Sequence, residues 1–129
     1  MIKSLSHLSL STNSLKNVYK FYVNILGLKV IHTFINDKNR EVYGYFLSTN
    51  NNTFLEFFNS KNKINFKYNK GQFRHLCFEV EDIHKIAKKL KIKKKNIIRG
   101  NTDNILQFFT KDFDGNFVEF HQRDRKSKF

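Results

Sequence analysis

Proline and tryptophan are absent from this chain, cysteine and methionine occur once each, and glycine occurs only five times. The lone Cys77 excludes an intrachain disulfide framework and fits a reducing compartment. No apolar run approaches the roughly 20 residues that a membrane-spanning helix needs. The opening Met1-Ile2-Lys3-Ser4 leads straight into a strand pattern, so no signal peptide is expected. A soluble cytoplasmic protein is the resulting expectation. Acidic residues are scarce as well: 11 Asp and Glu stand against 24 Lys and Arg, a formal charge of +13. That charge suits anionic partners such as nucleic acid, phosphate esters, coenzyme A or glutathione. Yet Lys far outnumbers Arg, and Asn, Ile and Phe abound, a composition that nucleotide bias in a genome also produces. The lysine run at 91–95 reads as a solvated helix end and loop, and no nucleic-acid-binding motif accompanies it. Neither nucleic acid nor a membrane is expected as a partner.

What is present is enough for one ordinary domain: 129 residues, 40% of them hydrophobic. Residues 5–11 alternate as a strand, with Leu8 and Leu10 on one face and Leu5, His7 and Ser9 on the other. Ser14 is placed to cap a helix whose apolar positions are Leu15, Val18, Tyr19, Tyr22 and Leu26, and Gly27 to end it. Strands are predicted over 28–34, 41–48 and 53–59, with a turn at 37–39. Residues 60–72 are polar and unpatterned and form the expected linker. The plan then repeats: a strand over 73–80, a helix capped by Asp82 with Ile83, Ile86, Ala87 and Leu90 along one stripe, and strands over 96–99, 105–110 and 117–122. A charged tail, 123–129, is expected to fray. The chain is therefore expected to be a single α+β domain of two β-α-β-β-β modules, about 5–59 and 73–122, forming a cupped mixed sheet with helices outside.

A histidine opens the first strand of each module and a glutamate sits in the last: His7 and Glu56, then His75 and Glu119. Each helix has one apolar stripe, so it must cover the apolar face of those strands, which leaves the histidines and glutamates on the other face. Two imidazoles and two carboxylates form an N2O2 donor set suited to a divalent ion such as Ni, Zn, Co, Mn or Fe. Any one of the four alone reads as a surface residue. All four at repeated positions read as ligands, because two buried carboxylates without a cation would be costly. An ion gripping two neighbouring substrate oxygens, with Glu56 or Glu119 as base, suits proton transfer beside a carbonyl. Cys77 shares the face of His75 and is expected as a small buried filler. His121 shares the face of Glu119 and is read as a ring at the rim, while His32 and His84 are read as surface residues. Arg74, Arg99, Lys111 and Arg123 are candidate contacts for an anionic substrate.

The strands HLSL and HLCFEV, the segment FLEFF and the turn-strand DFDGNFVEF together resemble the vicinal oxygen chelate superfamily, which includes glyoxalase I, extradiol dioxygenases and the fosfomycin- and bleomycin-resistance proteins. The order His, Glu, His, Glu is most similar to bacterial glyoxalase I. The resemblance implies metal ligands at His7, Glu56, His75 and Glu119, a homodimer, and a lyase or isomerase acting on a small substrate, anionic or a thiol adduct. An extradiol-type dioxygenase, a fosfomycin-type thiol transferase and a non-catalytic drug-binding protein are the alternatives. Two departures stand out. The family's Asp-Pro-Asp-Gly turn is Asp112-Phe113-Asp114-Gly115 here, and Ser11 stands where many bacterial glyoxalases I carry an arginine for the glutathione carboxylate.

Overall fold

The computed structural model describes residues 1–50, 52–63 and 73–129, so most of the expected linker lies outside the described residues. The chain divides into two compact units, Met1–Asn69 and Lys70–Phe129.

In the first unit, β1 (His7–Thr12) is followed by a helix that begins as α1 (Leu15–Val18) and continues with π geometry over Tyr19–Ile25; β2 (Lys29–Ile35), β3 (Val42–Ser48) and β4 (Phe54–Asn59) complete it. Ser14 starts the helix by accepting from the Asn17 amide at 3.3 Å. Its own amide is held by Thr12 Oγ1 at 3.0 Å. The sheet order is β1-β4-β3-β2, with β1 parallel to β4 and the remaining pairs antiparallel. The expected helical stripe was only partly right. Amide bonds five residues back, as from Leu26 to the Phe21 carbonyl at 3.0 Å, widen the turn and rotate the later positions. Phe21 is thereby buried while Tyr19 is left 39% exposed. Tyr22 packs its ring on Phe57 at 4.8 Å, so the helix covers the Leu55–Phe57 side of the sheet, opposite Glu56.

The second unit repeats the topology with β5 (Leu76–Glu79), α2 (Ile83–Lys89), a 3-10 turn (Lys94–Asn96), β6 (Ile98–Arg99), β7 (Leu106–Lys111) and β8 (Phe117–Gln122), in the sheet order β5-β8-β7-β6. Asp82 caps α2 by accepting from the Lys85 amide at 3.0 Å. Ile83 and Ala87 are buried, as are Phe108, Val118 and Phe120 of the sheet. Between β7 and β8, Asp112 Oδ1 accepts from the amides of Asp114 and Asn116 at 3.0 and 2.9 Å. Gly115 takes the positive φ of 88° that closes the turn. The turn thus forms without a proline.

Two local expectations are corrected. The strand expected over 96–99 loses its first half to the 3-10 turn and keeps two residues. The tail does not fray: Asp124 pairs with Arg99, the Lys128 amide bonds the Asp103 carbonyl at 2.8 Å, and Asn104 donates to the Lys126 carbonyl at 2.8 Å. The Arg99 guanidinium, aided by the Lys126 amide, holds the Asp124 carboxyl down at about 2. Charge on a tail opposes burial, but it does not oppose docking where a counter-charge waits.

Candidate metal centre

In each unit, the parallel pairing of the histidine strand with the glutamate strand decides what the face away from the helix carries. In the first, Ser9 lies beside Glu56 in register, so His7, two residues earlier on β1, shares that face. The same face continues through Phe46 on β3 and His32 on β2. The His7 ring meets Phe46 edge-on at 5.9 Å, and Phe46 stacks on Phe54 at 4.8 Å. Glu56 is half-buried and His7 exposed. His32, read from sequence as a surface residue, is exposed, but it lies edge-on to Phe34 at 4.8 Å on this same aromatic face.

In the second unit, Cys77 lies beside Glu119 and Glu79 beside His121. His75 stands one residue before β5 begins, yet its Nε2 reaches Glu119 Oε2 at 2.9 Å. The His75 ring is edge-on to Phe109 at 5.3 Å, which fixes its plane. Glu119 is 9% exposed, buried between strands on both sides. A carboxylate so placed needs hydrogen-bond donors or a cation. His75 supplies one, and the Cys77 sulfur stands within 4.8 Å of a Glu119 oxygen.

Cys77 corrects an expectation, because the residue is exposed instead of acting as a buried filler. Its sulfur is nevertheless crowded by neighbouring atoms. Desolvation first, and then the charge of Glu119 and a hydrogen bond to it, push the thiol up to about 12. The sulfur lies 3.5 Å from His121 Nδ1, and the donor atoms of Cys77, Glu119 and His121 all lie within 4.8 Å of one another. Sequence reading put all three on one face but missed their adjacency. Period-two parity was the available signal, and it does not give the register between distant strands.

Among the candidate anion contacts, Arg99 is occupied by Asp124, and Arg123 pairs with Glu79 at 2.6 Å and stands 3.4 Å from His121 Nε2. Lys111 shares the Glu119 face and lies over the Phe117 ring at 4.9 Å, while Arg74 and His84 are exposed outside it.

A repeated four-stranded unit with a histidine and a glutamate on the face turned from the helix defines a class of small α+β proteins. Residues 4–120 match the model of the Glyoxalase/Bleomycin resistance protein/Dioxygenase superfamily. The chain belongs to that superfamily. Among curated proteins, none matches it by sequence. Solved structures share the fold along nearly the whole chain. That of SMU.1112c is 25% identical, covers 94% of this chain and 99% of its own, and has a TM-score of 0.75. A glyoxalase family protein from Enterococcus faecalis is 22% identical over 92% of this chain and 97% of its own, with a TM-score of 0.72. A lactoylglutathione lyase from Agrobacterium tumefaciens is 17% identical over 94% of each chain, with a TM-score of 0.65.

Proposed function

We propose that this protein is a metal-dependent lyase or isomerase of the glyoxalase I type, in which His7, Glu56, His75 and Glu119 are the ligands of a divalent ion. The observation that carries the reading is the 2.9 Å approach of His75 to Glu119 on the face turned from the helix, with His7 and Glu56 at the corresponding places in the first unit. Imidazole nitrogen and carboxylate oxygen suit Ni, Zn, Co, Mn or Fe, and a nearly buried carboxylate favours a cation beside it, so the donor set fits such an ion. When bound, the ion supplies Lewis acidity toward a substrate carbonyl or hydroxyl oxygen.

This chain's own residues do the rest. Glu56 or Glu119 takes a carbon-bound proton from the substrate and returns it to the neighbouring atom, a role that requires the carboxylate to be ionised and partly freed from its other partners. His75 holds Glu119 in place through its Oε2, and Phe109 holds His75. The aromatic face of the first unit, with Phe46, Phe54 and Phe58 beside Glu56, supplies apolar contact and restricts water around the base.

Metal analysis of the purified protein, combined with exchange of a substrate α-proton in heavy water, tests this reading. Bound nickel, cobalt or zinc together with exchange supports it. Bound iron with oxygen uptake would replace it with an oxygenase, and a metal-free protein that binds a drug-sized ligand would replace it with a binder.

A further inference from the structure

We propose that the second unit contains a thiolate-bearing position for a soft divalent ion, formed by Cys77 Sγ, His121 Nδ1 and a Glu119 carboxylate oxygen. It shares Glu119 with the four-donor reading but does not depend on it. Neither Cys77 nor His121 belongs to that donor set.

The geometry points to it. Zinc bonds of about 2.3 Å to sulfur and about 2.0–2.1 Å to imidazole, held at a tetrahedral angle, place the two donor atoms roughly 3.5 Å apart. Cys77 Sγ and His121 Nδ1 stand 3.5 Å apart. The third donor is a Glu119 oxygen, and all three atoms lie within 4.8 Å of one another. They come from adjacent, parallel-paired strands, so the backbone already fixes the spacing and only side-chain rotations remain. Glu119 is almost fully buried, where an ion at short range would offset the cost of holding the carboxylate out of water.

Three protein donors leave a fourth tetrahedral position for water or a substrate atom. A thiolate among the donors selects Zn, Co or Cd over Mg, Ca or Mn. On binding, the S–H bond of Cys77 breaks and its proton passes to solvent; sulfur and a Glu119 oxygen each form a bond to the ion. One residue resists. Arg123 stands 3.4 Å from His121 Nε2, and with Nδ1 on the ion that nitrogen must carry the ring proton. The guanidinium then shifts toward Glu79, to which it is already bound at 2.6 Å.

The test is a titration of the full chain with cobalt(II), read by absorption. The expected result is a thiolate-to-cobalt charge-transfer band in the near ultraviolet that grows with added cobalt. Cys77→Ser should abolish the band, His121→Ala should weaken cobalt binding on the order of ten-fold or more, and both His7→Ala and Glu56→Ala should leave the band intact. Bound cobalt without a charge-transfer band in the unmodified protein overturns the proposal, whether or not the variants fold. So does loss of the band in His7→Ala protein that folds normally. The two readings fail separately: if the band survives His7→Ala and Glu56→Ala and the total cobalt bound does not fall, the four-donor centre is removed and this one is kept. Cobalt bound without a band but lost in those variants does the reverse.

Discussion

The Nε2 atom of His75 meets Glu119 Oε2 at 2.9 Å even though residue 75 lies outside the strand that β5 forms. The histidine therefore approaches from the strand's entry, and what holds it is its partner carboxylate and the Phe109 ring at 5.3 Å.

Removing that imidazole should therefore be felt in stability as well as in metal binding. His75→Ala leaves a nearly buried carboxylate with one donor fewer, a loss of about 1–3 kcal/mol. Urea unfolding of the metal-free protein should show a lower midpoint for His75→Ala than for His7→Ala, since His7 is exposed. Equal midpoints would mean that Cys77 alone suffices to hold Glu119.

In the proposed centre, alanine at His7, Glu56, His75 or Glu119 should each reduce bound metal sharply. Stoichiometric metal with unchanged affinity in Glu56→Ala and His75→Ala proteins would refute the shared ion. Elemental analysis after dialysis is sufficient to decide.

Cys77 should be chemically inert despite its exposure. Because the folded thiol is pushed up to about 12 from an ordinary 9.0, almost no thiolate exists at neutral pH, and alkylation of the native metal-free protein should stay slow through pH 9. The unfolded chain should react faster as pH rises through its lower thiol value. The stability sign follows: the native state holds this proton more tightly, so the contribution is intact below about 9 and is lost as pH climbs toward about 12. Glu119→Gln removes the nearby charge and should speed alkylation. A native protein that alkylates at neutral pH as fast as the unfolded chain would contradict this account.

Gly44 should tolerate no side chain. A Cβ there would stand 2.7 Å from the Phe57 carbonyl oxygen and would strike the Phe58 ring, which lies across the glycine on the Glu56 face. Gly44→Ala should destabilise the fold by about 1–3 kcal/mol and displace Phe58 from beside Glu56. A calorimetric midpoint unchanged from that of the parent would show that the strand can shift instead.

Glutathione adducts should be poor substrates. Ser11 lies on the Glu56 face and offers a hydroxyl where a guanidinium would clamp a carboxylate with two bonds. Isomerisation of the methylglyoxal–glutathione hemithioacetal should be weak, with another thiol adduct or α-hydroxycarbonyl turned over better. Fast turnover of the glutathione adduct would show that other residues replace the clamp.

Among the described residues, each sheet ends in edge strands, β1 and β2 in one unit and β5 and β6 in the other, and such edges favour association. A homodimer is expected, and sedimentation at micromolar concentration should give twice the monomer mass of 15.5 kDa.

The sequence by itself determined whatever depends on near neighbours. Period-two alternation placed His7 and Glu56 away from the helix-covered face, and likewise Cys77 and Glu119; Ser14 and Asp82 marked the helix starts; Asp112 and Gly115 marked the last turn. Repetition of that plan was legible because each unit reuses the same local rules. Tertiary structure alone decided the rest. Packing against Phe57 went with a π register that buried Phe21 and exposed Tyr19, which helical spacing had reversed. Arg99 and Asp103 gave the charged tail its anchors. The parallel register of β5 on β8 set Cys77 beside Glu119 and brought His121 to its sulfur. Strand parity is written every two residues, whereas register between strands some 40 residues apart is chosen by packing and backbone hydrogen bonds summed over the whole sheet.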